Sequence, residues 1–157
     1  MRIRRMREED IGDIVRIVNK IMGPRDARVA LSDIKENFSS KDYSPFKFED
    51  FYVVEIGRKI IAGGGVWALR HDPFVARLDW FMVDPDYQRK GIGTFLMRFF
   101  SGLLKKRKIK LILAETSSGK AYKAAAGFWA KNGFRQIARI PNYWEDGSAC
   151  LYFFKRL

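Results

Sequence analysis

The sequence has few of the residues that build metal and disulfide sites, and no long apolar run. Its 157 residues include one cysteine, Cys150, and one histidine, His71, so we expect no internal disulfide and no zinc or other metal site. The longest nearly uncharged run, residues 60–69, is far too short to cross a bilayer. The charged first ten residues lack the apolar stretch of a secretory signal, which predicts a cytoplasmic protein.

Negative charge is also scarce. Thirty Lys and Arg residues stand against 18 acids, and the formal charge of +12 favours phosphates or other anionic partners. The basic residues are spread along the chain, and only KKRK at 105–108 forms a tight cluster, so nucleic acid is a less favoured partner. A basic nucleic-acid-binding domain is the third hypothesis, and the sequence leaves a homodimer open.

The size and periodicity predict one α/β domain spanning residues 1–157. Helical spacing predicts a first helix that stops at Gly23-Pro24 and a shorter second helix over 29–38. A hairpin follows, with its turn at 57–58, and three glycines at 63–65 indicate a bulge or a close backbone approach. The remaining segments are a strand at 76–83, a helix from 92, a strand at 110–115, a helix ending at 132–133, and two final strands.

Two glycines stand directly before a helix in MVDPDYQRKGIGTFLMRFF, residues 82–100. A helix N-terminus offers unpaired N–H groups and the positive end of the helix dipole, so it binds phosphate where no side chain blocks the approach. Gly91 and Gly93 would bring the amides of residues 89–94 onto a diphosphate. The competing interpretation is that the glycines only turn a strand into a helix. A Rossmann fingerprint is disfavoured because Leu96 stands where it needs a third glycine.

The segment VDPDYQRKGIGTFLM resembles the acetyl-CoA-binding motif of GNAT-type N-acetyltransferases, Val-x-Pro-x-x-Gln/Arg-x-x-Gly-x-Gly/Ala followed by a helix. The likeness extends to the opening IRRMREEDIGDIVRIV, to the glycine-bearing hairpin and to FWAKNGF, where the family usually shows Tyr-x-x-x-Gly-Phe. It implies a single-domain GNAT-like fold with about four helices on the faces of a mixed sheet. That sheet splays open between its fourth and fifth strands, where the pantetheine arm enters.

The resemblance also implies acetyl-CoA as cofactor and an acetyl transfer to a primary amine of a small molecule, peptide or protein. Backbone groups of the fourth strand would pair with the pantetheine arm, and the loop amides would bind the diphosphate. The implied cofactor-binding residues are Phe81, Met82, Val83, Gln88, Arg89, Lys90, Gly91, Ile92, Gly93, Thr94, Phe128 and Lys131.

Such a reaction needs a base, because an alkyl amine with a pKa of about 10.4 is only roughly one part in a thousand neutral near pH 7. The carboxylates expected near the gap are Asp79 and Glu115. The competing interpretation pairs Asp79 with Arg77 or Arg70 on the surface and has Glu115 cap the following turn.

A proton donor for the leaving thiolate is harder to identify, since Trp129 stands where many family members have Tyr. An indole N–H donates a hydrogen bond but does not release its proton at useful pH. Tyr122 and Tyr143 are the alternative proton donors. The competing interpretation is that Tyr122 is a helix-packing residue and Tyr143 a residue of the loop surface. The departure at Trp129 keeps a non-catalytic acyl-CoA-binding or regulatory module as the second hypothesis.

The acceptor pocket is expected from residues 23–50 and 141–148. Its candidate aromatic side chains are Tyr43, Phe46, Phe48, Tyr143 and Trp144.

Overall fold

In the part of the chain that the structure describes, seven strands and four helices follow one another in the predicted order β-αα-βββ-α-β-α-ββ. The computed structural model describes residues 1–39 and 44–157. The helices are α1 (Ile11–Met22), α2 (Pro24–Phe38), α3 (Ile92–Lys106) and α4 (Lys123–Lys131). The strands are β1 (Arg2–Arg5), β2 (Phe46–Ile56), β3 (Lys59–Leu69), β4 (Val75–Val83), β5 (Leu111–Ser117), β6 (Arg135–Ile140) and β7 (Cys150–Arg156).

All seven strands belong to one mixed sheet in the order β1-β2-β3-β4-β5-β7-β6. Neighbouring strands are antiparallel except β4 and β5, which are parallel. The helix α3 makes the crossover between these two strands, as a parallel pair requires. The predicted α/β class and the mixed sheet are therefore confirmed.

The helices cover both faces of the sheet and bury two apolar clusters. One cluster packs α3 and α4 on the sheet through residues such as Leu96, Phe100 and Trp129. The other packs α1 and α2 on the opposite face through Ile14 and Ile34. Within residues 1–39 and 44–157, no helix has both the length and the apolar character that a membrane span requires.

The second helix begins earlier than the sequence predicted. Gly23, with φ of 92°, ends α1, and α2 then starts at Pro24 rather than near residue 29. Proline fits the first helical position because its missing N–H would have no partner there. The Gly-Pro pair therefore separates two consecutive helices and stops only the first.

A β-bulge interrupts the pairing of β3 with β4 at the three glycines 63–65. Trp80 and Phe81 of β4 both lie opposite Gly64 of β3, so β4 carries one extra residue there. Trp80 has φ of 41°, a conformation that bulky residues rarely adopt. A Cβ on Gly64 would lie 3.2 Å from the Phe81 Cα, which leaves no room for a side chain unless the backbone shifts. The glycines thus permit the close approach that the sequence indicated.

The strands β4 and β5 separate shortly before this bulge. They pair only from Val75 opposite Leu111 to Arg77 opposite Leu113. Beyond that point β5 continues to pair with β7, and β4 continues to pair only with β3. Residues 78–83 of β4 therefore leave one backbone edge open, and the predicted splay between the fourth and fifth strands is confirmed.

We predict that Gly63→Ala destabilises the protein, because the new Cβ would crowd Ile14 of α1 and would lie 3.1 Å from the Tyr52 carbonyl oxygen of β2. The new Cβ would lie 2.6 Å from Ile14 Cδ1, and such overpacking costs about 1–3 kcal/mol. Ile14→Val removes that methyl group, so the double variant should lose less stability than the sum of the two single variants, by about 1 kcal/mol. Urea unfolding of the three variants measures the coupling, and strictly additive losses would contradict the contact.

Candidate functional site

The loop between β4 and α3 carries a row of unpaired backbone N–H groups. Gly91 caps α3 with φ of 80°, and Arg89 two residues earlier has φ of 59°. Across the described part of the chain, the amides of residues 89–94 have no hydrogen-bond acceptor. Six consecutive free N–H groups at a helix N-terminus are suited to binding an anion.

The two glycines of this loop have different structural reasons. A Cβ on Gly91 would meet no atom within 4 Å, so this residue is glycine because of its left-handed backbone. A Cβ on Gly93 would lie 2.9 Å from a ring carbon of Phe128, so this residue is glycine because α4 packs against it. Gly91 therefore keeps the loop open, and Gly93 brings α4 close to the start of α3.

Side chains fix the shape of the loop and surround it with positive charge. Gln88 Nε2 donates to the Val83 carbonyl at 3.0 Å, and Lys90 Nζ donates to the Asp86 carbonyl at 3.1 Å. Lys59 and Lys90 each lie over the Tyr87 ring, at 5.0 and 5.3 Å from its centroid. The first turn of α3 has no acidic residue to oppose an anion.

The open edge of β4 lies beside the aromatic contacts of α4. The Phe81 ring packs 5.4 Å from the rings of both Phe128 and Trp129. Trp129 is buried, and its indole Nε1 has no acceptor among the residues that the structure describes. Met82 is buried under α1, and Lys131 is exposed in the last turn of α4.

The two candidate bases come close together at the splay. Asp79 lies on β4 and Glu115 on β5, both past the last paired position of the two strands. Burial raises the pKa of Asp79 to about 6; the Trp80 backbone N–H opposes this rise, and the charges of Asp33, Glu49 and Glu115 add to it. Asp79 is therefore a carboxylate that titrates close to neutral pH.

The surface ion pairs that the sequence offered for Asp79 do not form. Arg77 has Asp72 as its acidic partner at 3.8 Å, and Arg70 Nε donates to the Ser44 carbonyl. Glu115 lies opposite Tyr152 of β7, whose pKa is raised by burial and by its hydrogen bond to this carboxylate. The competing interpretation of Asp79 as a partner of Arg77 or Arg70 is therefore wrong.

The candidate tyrosines both lie outside the strands of the sheet. Tyr122 precedes α4, and burial raises its pKa together with the charges of Asp26 and Asp146. Tyr143 is exposed and packs on Trp144 with the ring centroids 4.8 Å apart. Tyr152, beside Glu115, was not predicted, because its position follows only from the register between β5 and β7.

An acidic pocket of about 240 Å³ opens beside Asp79. Two of its walls are aromatic and the others carry carboxylates. The lining residues are Asp33, Glu36, Phe46, Glu49, Trp67 and Asp79. Of the predicted aromatic residues Phe46 lines it, Phe48 instead packs under the Arg107 guanidinium, and Tyr43 lies outside the described residues. The pocket is therefore lined with acidic residues although the chain as a whole has a formal charge of +12.

The remaining candidates have structural explanations. The cluster at 105–108 ends α3, where Lys105 and Lys106 face the negative end of the helix dipole and Arg107 pairs with Asp50 at 2.6 Å. Cys150 is buried in β7. Within residues 1–39 and 44–157, no group of His, Cys, Asp and Glu side chains could hold a metal ion.

The segment that carries the amide row and the open strand edge matches a known family. The GNAT acetyltransferase domain family matches residues 47–136 of the chain, from β2 to β6. The chain therefore belongs to the GNAT acetyltransferase family. A search of curated proteins gave no significant match.

Solved structures support the same fold over almost the full chain. A GNAT-family protein from Desulfovibrio desulfuricans is 19% identical with a TM-score of 0.87, over 99% of this chain and 98% of that one. The ribosomal-protein-S18-alanine N-acetyltransferase from Escherichia coli is 20% identical with a TM-score of 0.76, over 99% and 92%. An aminoglycoside 6'-N-acetyltransferase complexed with coenzyme A is 12% identical with a TM-score of 0.78, over 99% and 97%.

We predict that Asp79→Asn stabilises the protein at neutral pH. A carboxyl whose folded pKa is raised from 3.8 to about 6 binds a proton more tightly in the folded state. Its penalty is complete above pH 6 and disappears as the pH falls through 6 toward 3.8. At 1.36 kcal/mol per pKa unit, the gain at pH 8 is at most ~3 kcal/mol.

Thermal melting of both proteins between pH 4 and pH 8 measures this gain. The exposed carboxylate of Glu115 serves as the matched control, and Glu115→Gln should give a smaller gain. A Tm difference for Asp79→Asn that is the same at pH 4 and pH 8 would show that Asp79 has an ordinary pKa.

Proposed function

We propose that this protein is an acetyl-CoA-dependent N-acetyltransferase that transfers the acetyl group directly to a primary amine. The observation that carries the proposal is Asp79, a carboxylate with a pKa near 6 beside the open edge of β4. The amides of residues 89–94 would bind the diphosphate, and the backbone of Phe81, Met82 and Val83 would pair with the pantetheine arm. Bound acetyl-CoA supplies the acetyl group as an activated thioester.

Asp79 supports this reaction because it can take a proton from the acceptor. An ammonium group must lose a proton before its nitrogen can attack a carbonyl carbon. A base with a pKa near 6 is charged at pH 7 and still accepts a proton better than an ordinary aspartate does. Asp79 takes this proton directly or through one water, and the departing thiolate is stable enough to leave without a protein acid.

Glu115 is the less favoured base. Its carboxylate interacts with Tyr152 and raises the pKa of that hydroxyl, and it is more exposed than Asp79. Its negative charge nevertheless contributes to the raised pKa of Asp79. Glu115 therefore tunes the pKa of the base.

The pocket beside Asp79 supports an amine as the acceptor. Four of its six lining residues carry carboxylates, and an ammonium group enters such a surface favourably. The Trp67 ring adds an aromatic wall, and aromatic faces attract cations. An amino group of a small molecule, a peptide or a protein would fit this pocket. The proposal therefore specifies the positive charge of the acceptor and not its size.

We predict that turnover depends on Asp79 far more than on Trp129. Asp79→Asn removes the base with almost no change in volume and should lower kcat by about two orders of magnitude or more. Glu115→Gln should have a smaller effect, and Trp129→Phe should change mainly packing or cofactor affinity. Release of the CoA thiol with a panel of amines, polyamines and peptides measures kcat across pH 5 to pH 9.

The pH profile separates the outcomes. Wild-type kcat/KM should fall below a pKa of about 6, and this acidic limb should be absent in Asp79→Asn. If acetyl-CoA binds but no amine releases thiol, the protein is a binding module. If Asp79→Asn keeps the wild-type rate and the same acidic limb, Asp79 is not the base.

A further inference from the structure

A buried aspartate connects helix α1 to the loop between β4 and α3, residues 84–91, which we call the cofactor loop. The side chain of Asp84 is fully enclosed, and its carboxylate accepts hydrogen bonds from two cations of α1. Arg16 Nη1 lies 3.0 Å from Oδ2, and Lys20 Nζ lies 3.0 Å from Oδ1. The backbone N–H of Asp86 is the third donor to this carboxylate and lies 3.2 Å from Oδ1. These partners together hold the pKa of Asp84 below its usual value despite its burial.

The backbone of the same residue joins β4 to the loop. Asp84 N donates to the Ile61 carbonyl of β3 at 2.8 Å, and the Asp84 carbonyl accepts from Tyr87 N at 2.8 Å. Lys20 also reaches Asp86 at 2.8 Å, so one cation joins two loop carboxylates. The first turn of the loop is thus fixed to α1 and to the sheet, five residues before the row of free amides begins.

A second buried aspartate accepts a similar set of hydrogen bonds but lies outside the loop. Asp10, at the start of α1, accepts from Arg4 at 2.6 and 2.8 Å and from the Arg7 backbone N–H at 2.7 Å. Its side chain is 6% exposed, and that of Asp84 is 0% exposed. We therefore expect the two aspartates to contribute similarly to stability, and only Asp84 is part of the loop.

We propose that Asp84 is a positioning residue for the cofactor. Through Arg16 and Lys20 it fixes the turn from which the loop presents the amides of residues 89–94. This inference rests on the proposed use of acetyl-CoA. It adds that the affinity for the cofactor depends on an ion-pair cluster whose members α1 supplies from outside the loop.

The sign of the effect distinguishes positioning from simple electrostatics. Asp84 places a negative charge near a site for an anion, so Coulomb's law alone predicts that its removal strengthens CoA binding. Loss of positioning predicts weaker binding. The Asn side chain can still accept from Asp86 N, but its amide group would face the donors of Arg16 or Lys20. These two cations are more than one third exposed and can turn to water, so the fold should survive.

Isothermal calorimetry with CoA tests the proposal on the wild type, Asp84→Asn and the matched control Asp10→Asn. Loss of two charge-assisted hydrogen bonds should raise the Kd of Asp84→Asn about tenfold. Asp10→Asn should lose similar stability and keep its Kd within about twofold, since none of its hydrogen-bond partners belongs to the loop. In turnover assays the KM for acetyl-CoA should rise in Asp84→Asn while kcat at saturation stays near that of the wild type.

A second pair of variants tests the proposal if Asp84→Asn does not fold. Lys20→Gln breaks the bond to Asp84, whereas Lys59→Gln removes a charge beside the loop without touching Asp84. Lys20→Gln should weaken CoA binding more than Lys59→Gln does. Equal effects of these two, or a folded Asp84→Asn with unchanged or tighter CoA binding, would overturn the proposal. A wild type that binds no CoA would overturn the proposed function, and this inference with it.

Discussion

The extra residue in β4 is the constraint on which the rest of the site depends. Trp80 and Phe81 share the place opposite Gly64, and such a bulge bends a strand and increases its twist. The bent strand stays with β3 and leaves β5, which opens one backbone edge at the middle of a sheet. An edge inside a sheet is otherwise a defect, because its N–H and C=O groups lack partners. Here it lies beside the loop of free amides and a carboxylate with a raised pKa.

The bulge is possible because of residues on both sides of it. The glycines 63–65 let Ile14 and Phe51 approach β3 from one face and let Phe81 approach from the other. The chain leaves β4 through Asp84, whose bonds to α1 fix the direction of the loop. Gly93 then lets α4 pack against the start of α3. The loop between β4 and α3 is therefore held by α1 and α4, which lie on opposite faces of the sheet.

Patterns within short segments predicted most of the fold. The period of α1 and α3, the turn at 57–58 and the loop glycines all depend on neighbours in the sequence, where propensity and backbone conformation decide. The features that the sequence did not predict depend on residues that are far apart in the chain. Asp84 meets cations 64 and 68 positions away, and Tyr152 meets Glu115 through strand register. The pKa of Asp79 depends on burial and on charges from three other elements, which no local pattern contains.

The central claim is that the open edge of β4 and the free amides of the loop together bind the cofactor. Hydrogen exchange of the wild type with and without CoA tests it most directly, because a bound ligand slows exchange at the amides that it occupies. The account predicts slower exchange within residues 78–83 and 89–94 when CoA is bound, with little change in β1 or β6. Binding of CoA that leaves both segments unchanged and protects another surface would contradict it.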